Sequence, residues 1–201
     1  MDEIELKAVV PDPAACRTRL EGAGARLTFV GRLEDRRWDL PTRPLARRDE
    51  VVRVRRALAD AGAPGESEDV VDWKGPTRRV DGYKVRAERS TRVGDAAVLE
   101  LVLQRAGFVV TREVDRRVVQ YALDGAAVRL EWYPAMDVLV QVEGTPLAIE
   151  RAIAATGLPR ARFGTGSLAD FAAAYERRTG VRAALSAREL AGDYPFGSDD
   201  A

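Results

Sequence analysis

Charged side chains recur at alternate positions in a series of strand-like segments, with aliphatic side chains between them. In DEIELKAV (2–9), Glu3, Glu5 and Lys7 share one face while Ile4, Leu6 and Ala8 share the other, because successive side chains of a strand point to opposite sides. VVRVRR (51–56) repeats the pattern, with Arg53 and Arg55 set against Val52 and Val54. Further same-face groups are Asp72 with Lys74, then Lys84, Arg86 and Glu88, then Arg129 with Glu131, and Gln141 with Glu143. A sheet with one solvated face has such alternation too. Against that reading, the chain has few long apolar helices to cover a flat sheet, and the polar faces carry long charged side chains with little Ser or Thr. The pattern predicts an α+β fold around a closed antiparallel barrel, aliphatic outside and charged inside. Unpaired charge in a dry interior costs several kcal/mol, so such a barrel must be a wet tunnel that holds a charged ligand.

The residues that are missing narrow the chemistry. There is no histidine among the 201 residues, which removes His-based triads, His general bases and His–Cys zinc sites. Any metal must be held by oxygen, which selects Mg²⁺, Mn²⁺ or Ca²⁺. The 32 basic and 32 acidic residues balance, which argues against a whole-surface nucleic-acid footprint. Only three of the basic residues are lysines, Lys7, Lys74 and Lys84, at positions where a compact ammonium is suited better than a planar guanidinium. The lone Cys16 reads as a small buried hydrophobe, and together with the lack of a secretory or membrane-spanning stretch it points to the cytoplasm and away from membrane partners.

Along the chain, Asp12-Pro13 reads as the cap and first residue of a helix ending near Gly22 or Gly24. Residues 26–40 form one long strand or a pair, 41–49 a loop, 51–56 a strand and 58–68 a flexible loop. Strands follow at 69–75 and 82–92, and Asp95 caps a helix over 96–106. Further strands are predicted at 108–123, 127–133 and 138–144. Thr145-Pro146 opens a helix closed by Gly157, and Ser167 with Asp170 resembles a capping box for a helix up to Gly180. One domain over 1–181 is expected, with 182–201 a partly disordered tail except for a turn at 187–190.

The inward-facing set combines hard oxygen donors (Glu3, Glu5, Glu131, Glu143) with a larger basic cluster (Lys7, Arg53, Arg55, Lys74, Arg86 and Arg116). Metal plus Arg forks is an arrangement that binds phosphate chains, and no Gly-rich phosphate loop is present. Read in order, the opening Glu3-Ile-Glu-Leu-Lys7, VRVRR, DWKGP (72–76), VRAERS (85–90) and AGF (106–108) resemble the motifs of the CYTH superfamily, the triphosphate tunnel enzymes that include class IV adenylate cyclases and thiamine triphosphatases.

That resemblance, covering roughly residues 1–145, implies an eight-stranded tunnel with Mg²⁺ or Mn²⁺ as cofactor. It implies Glu3, Glu5 and Glu143 as metal ligands, with Glu131 standing in for the family's Asp. Lys7, Arg53, Arg55, Lys74 and Arg86 would contact phosphates, joined by Lys84 and by Arg116 or Arg117, and Lys7 and Lys74 would be catalytic. Glu88 would support basic neighbours. The substrate would be a triphosphate (ATP, tripolyphosphate or thiamine triphosphate), hydrolysed or cyclised, with no nucleic-acid partner and a homodimer compatible with the reading. Two departures stand out: Gln141 replaces a carboxylate of the closing Glu-x-Glu, and Asp137 stands where a glycine is common. Gln141 leaves open a non-catalytic polyphosphate- or nucleotide-binding module. Trp73, Trp132 and Tyr133 are candidates for stacking on a base, though aromatics flanking strands more often serve packing.

Overall fold

A computed structural model describes residues 2–196; the acidic end that the sequence places in the tail, Asp199 and Asp200, lies outside them. The elements in order are β1 (Asp2–Val9), α1 (Pro13–Gly22), β2 (Arg26–Asp39), β3 (Val51–Ala59), β4 (Glu68–Lys74), β5 (Arg78–Val80) and β6 (Tyr83–Val93). They continue with α2 (Ala96–Arg105), β7 (Val109–Leu123), β8 (Ala126–Trp132), β9 (Leu139–Glu143), α3 (Pro146–Thr156), α4 (Leu168–Thr179) and α5 (Ala187–Leu190). The strands run β1-β9-β8-β7-β2-β3-β4-β6, and β6 pairs back onto β1, closing eight antiparallel strands into a barrel. β5 is an extra short strand on β6, absent from the sequence expectations because its three residues (RRV) are exposed and carry no alternation.

Local chemistry sets the boundaries. Asp12 accepts from the Ala15 amide at 2.9 Å and Pro13 opens α1. Thr145 caps α3, and Ser167 with Asp170 completes a reciprocal capping box on α4. Asp124 and Gly125, both at positive φ, form the two-residue turn between β7 and β8, the backbone that a tight hairpin requires. Residues 26–39 form one unbroken strand, paired along one edge with β3 and along the other with β7.

The apolar core lies outside the barrel. Leu6 and Ala8 of β1, Val128 and Leu130 of β8, and Val140 and Val142 of β9 face Cys16 and Leu20 of α1 and Ile149 and Ile153 of α3. On the opposite wall, Trp38 and Val54 pack under Ala96, Leu99 and Leu103 of α2. No helix among the described residues is long and apolar enough to cross a membrane.

Residues 183–190, within the segment that the sequence predicts as a partly disordered tail, are docked on the barrel. Ala184 exchanges backbone hydrogen bonds with Ala135 at 2.9 and 3.0 Å, and the Asp115 amide donates to the Leu185 carbonyl at 2.7 Å. Leu185 packs on Val114, Tyr133 and Leu139, while the buried Glu189 accepts from the Leu185 amide and pairs with Arg112 at 3.3 Å. The predicted turn at 187–190 is α5. Asp137, unexplained by sequence, accepts from Arg178 of α4 at 2.6 Å. We expect Leu185→Ala to cost about 2–5 kcal/mol, as large-to-small changes in a packed core do, measured by chemical denaturation; an undocked tail would show no change.

Candidate functional site

Every strand of the barrel sends side chains into one internal cavity of about 240 Å³. Thirteen of the residues singled out from sequence line it: Glu3, Glu5, Lys7, Arg53, Arg55, Lys74, Lys84, Arg86, Glu88, Arg116, Glu131, Gln141 and Glu143; Asp72, on the same strand face as Lys74, does not. Pairing explains the convergence. Glu5 lies opposite Lys84 on β6 and Glu143 on β9, Lys7 lies opposite Gln141, and Gln141 in turn lies opposite Arg129. β7 directs Arg116 inward, whereas Arg117 points out to Asp60, which resolves the register of that strand.

Two residues that sequence reasoning missed line the cavity within the basic cluster, and one of them organises it. Asp35, 4% exposed, accepts from Arg55 at 2.7 and 2.8 Å, from Arg116 at 3.0 Å and from Arg53 at 3.2 Å. Burial pushes its carboxyl up, but the guanidiniums of Arg116, Arg55 and Arg53 outweigh burial and hold it well below the usual aspartate value. Arg37, two residues on, also lines the cavity. Both were obscured because β2 is charged on its outer face as well: Arg36 points outward to Asp115 at 2.8 Å, so residues 34–37 show no polar–apolar alternation. Arg129, seen on a strand face but assigned no role, is a further basic lining residue.

Carboxylates and lysines pair on the opposite wall. Glu5 takes Lys7 and Lys84, each at 2.8 Å, while Glu3 takes Lys74, which lies 3.4 Å from Glu88. For Glu5, burial opposes ionisation, but Lys7 and Lys84 hold its carboxyl far below the ordinary value; for Glu3, burial opposes ionisation and Lys74 overcomes it. Burial, with Lys7 nearby, lowers the Lys84 ammonium. Arg86 is aimed by two backbone carbonyls, Gly75 and Asp49, each at 2.6 Å.

Among the described residues no three carboxylates close on one point as a metal cage, yet the oxygen donors differ in availability. Glu131 is committed, with one oxygen to Arg116 at 3.0 Å and the other to the Tyr133 hydroxyl at 2.7 Å. Glu143 makes no hydrogen bond or ion pair among the described residues. Burial raises its carboxyl, and the charges of Glu3 and Glu5 add to the rise. Glu3, Glu5 and Glu143 share one wall of the cavity and offer hard oxygen donors of the kind a divalent cation prefers, with Glu3 and Glu5 paired to lysines. Of the aromatics weighed for stacking, Trp73 and Trp132 do not line the cavity, and Tyr133 lines it with its hydroxyl bonded to Glu131.

The cavity is lined by nine basic and six acidic side chains, an excess that suits a multiply charged anion. No protein-family model and no curated protein matches the sequence. Solved structures do match. The PH1819 protein of Pyrococcus horikoshii has a TM-score of 0.68 at 21% identity, covering 82% of this chain and 94% of that one. A candidate adenylate cyclase from Vibrio parahaemolyticus has a TM-score of 0.68 at 17% identity, covering 84% and 96%. The shared feature is the barrel fold. A candidate adenylyl cyclase from Hippeastrum with a dominant triphosphatase activity shares it at a TM-score of 0.59 and 17% identity, covering 92% and 99%. This is the architecture that the motif resemblance to the CYTH superfamily implies.

Two outcomes follow from the ion pairs. Asp35→Asn takes the charge of the only carboxylate bonded to Arg55 among the described residues and one of the two hydrogen-bonded to each of Arg53 and Arg116, and removing one partner of a buried pair costs about 3–5 kcal/mol, readable in urea unfolding. Glu3, Glu5, Asp35 and Glu131 have folded values below the ordinary 4.5 and 3.8. The stability they contribute is therefore complete above those values and is lost as pH falls through the lowered ones. Thermal midpoints taken from about pH 6 down to about pH 2 should fall only on the acid side of that range.

Proposed function

We propose that the protein is a divalent-metal-dependent enzyme that binds a triphosphate inside its barrel and hydrolyses it. The observation that carries this reading is the convergence of nine basic side chains and a three-carboxylate wall on one wet cavity. Lys7, Lys74, Lys84, Arg53, Arg55 and Arg86 would contact the phosphate oxygens. Arg116 is held by Asp35 and Glu131 and acts by keeping the other guanidiniums in place as well as by its own charge.

Charge builds on the leaving phosphate as the phosphorus–oxygen bond breaks, and fixed cations already aimed there stabilise it without reorganising. Glu3, Glu5 and Glu143 would hold Mg²⁺ or Mn²⁺, which would supply the Lewis-acid share of that neutralisation. Binding requires Lys7, Lys74 and Lys84 to turn from Glu5 and Glu3 toward phosphate, which frees the carboxylates for the cation. Hydrolysis is favoured over cyclisation of ATP because, among the described residues, the one aromatic side chain lining the cavity is Tyr133, tied through its hydroxyl to Glu131. Gln141, opposite Lys7 where a carboxylate is expected, supports a second reading, a module that binds triphosphate without turning it over.

Incubation with tripolyphosphate, thiamine triphosphate or ATP and Mg²⁺ or Mn²⁺, followed by measurement of phosphate, pyrophosphate and cyclic AMP, separates these readings. Phosphate release is expected. Tight binding without turnover would favour the module, and no binding of any triphosphate would sink both. Lys7→Ala should lower kcat about 10²–10³-fold, as loss of one transition-state donor does, with an unchanged circular-dichroism spectrum.

A further inference from the structure

A row of three arginines crosses the barrel wall on neighbouring strands. Arg37 of β2 lies directly opposite Arg53 of β3 on one side and Arg112 of β7 on the other. Like charges at directly opposed positions repel. The outer two are neutralised: Arg53 is held by Asp72 at 2.7 Å and Asp35 at 3.2 Å, and Arg112 pairs with Glu189 at 3.3 Å. The Arg37 side chain makes no hydrogen bond or ion pair among the described residues. Burial and the charge of Arg53, with smaller repulsion from Arg112 and Arg86, outweigh the attraction of Asp35 and pull its guanidinium down to about 10.

Position adds a second argument. Next to the phosphate cavity lies a larger one of about 480 Å³, and Arg37 lines both. The acids of this outer chamber are already engaged by the chain. Asp39 accepts from the amides of Leu40, Leu45 and Ala46, Asp49 accepts from the Thr77 amide, Glu50 accepts from Arg48 at 2.9 Å, and Asp170 is bound in the α4 capping box. None of these carboxylates reaches Arg37 with a hydrogen bond or ion pair. A guanidinium with open donors at the junction of two chambers, beside three other arginines and with Asp35 already bonded to Arg53, Arg55 and Arg116, is built to receive an anion that the chain itself does not supply.

Resting on the triphosphate reading above, we infer that Arg37 is a further substrate-binding residue, which takes the phosphoryl group lying where the inner cavity opens into the outer chamber. The role makes two effects run in opposite directions. Without ligand, Arg37 is a repelled, half-buried cation, so neutralising it should not destabilise the fold. With ligand, the same change removes a charge-assisted hydrogen bond.

The test is Arg37→Gln, compared with the unaltered chain by thermal unfolding and by calorimetric titration with inorganic tripolyphosphate, with Mg²⁺ and again without it. The expected result is an unliganded midpoint equal to or above that of the unaltered chain, with affinity weaker by about 10- to 100-fold, the worth of a hydrogen bond to a charged group. Arg37→Lys, which keeps the charge but loses the fork, should recover part of that affinity. Equal binding by both chains would overturn the role of Arg37 while leaving the triphosphate reading intact. A lowered unliganded midpoint, or failure to fold, would make Arg37 structural and would also overturn it. Absence of tripolyphosphate binding by the unaltered chain would instead sink the triphosphate reading itself.

Discussion

Asp35 is the carboxylate on which the interior of this barrel depends. Without it, Arg53, Arg55 and Arg116 would face one another across the cavity with only Asp72 and Glu131 to separate them. One buried anion bridging three strands sets the spacing of the guanidiniums and keeps them aimed inward. It also leaves donors over, since each guanidinium has five N–H groups and a single carboxylate has two oxygens. A cluster that is held but not saturated suits a site that must accept an anion, whereas a fully satisfied network would only brace the wall.

This arrangement is affordable because the barrel does not supply its own core. Buried ion pairs seldom add net stability over apolar packing, so cohesion has to come from elsewhere. It comes from the outer faces of the strands, where α1 and α3 cover one wall and α2 the other. The docked segment at 183–190 joins these two regions. Leu185 packs against Tyr133, whose hydroxyl donates to Glu131, and Glu131 holds Arg116 beside Asp35. Packing at the end of the chain is thereby linked to the position of guanidiniums inside the tunnel.

Legibility from sequence followed the contrast between strand faces. β1, β3 and β6 set charged residues inside against aliphatic ones outside, so Glu5, Arg53 and Arg86 were identifiable from period two alone. β2 and β7 were not, because salt links such as Arg36 to Asp115 run along their outer faces too and erase the contrast, and Asp35 and Arg37 went unassigned for that reason. Glu131 was recognised as an inward oxygen donor, but its engagement by Arg116 and Tyr133 depends on which strands become neighbours. The segment Ala183–Leu185 is short, without periodicity, and attached by backbone hydrogen bonds and a shape match to Tyr133 that no local pattern encodes.

The lysines carry the last step of the synthesis. In a chain whose other basic residues are all arginine, its three lysines line the same cavity and pair with the two carboxylates of β1. An Arg–carboxylate fork is a directional, two-bond clamp, which suits Asp35 and its partners because they hold the wall in place. An ammonium on a flexible stem is a point charge that can exchange one oxygen for another with little loss of geometry. On the proposed triphosphate reading, the division of labour follows from that difference: arginines fixed by Asp35 form a rigid cradle, while lysines resting on Glu3 and Glu5 would move to a phosphate and release carboxylates for a cation. Replacing these lysines by arginine would preserve the charge of the tunnel and remove that exchange.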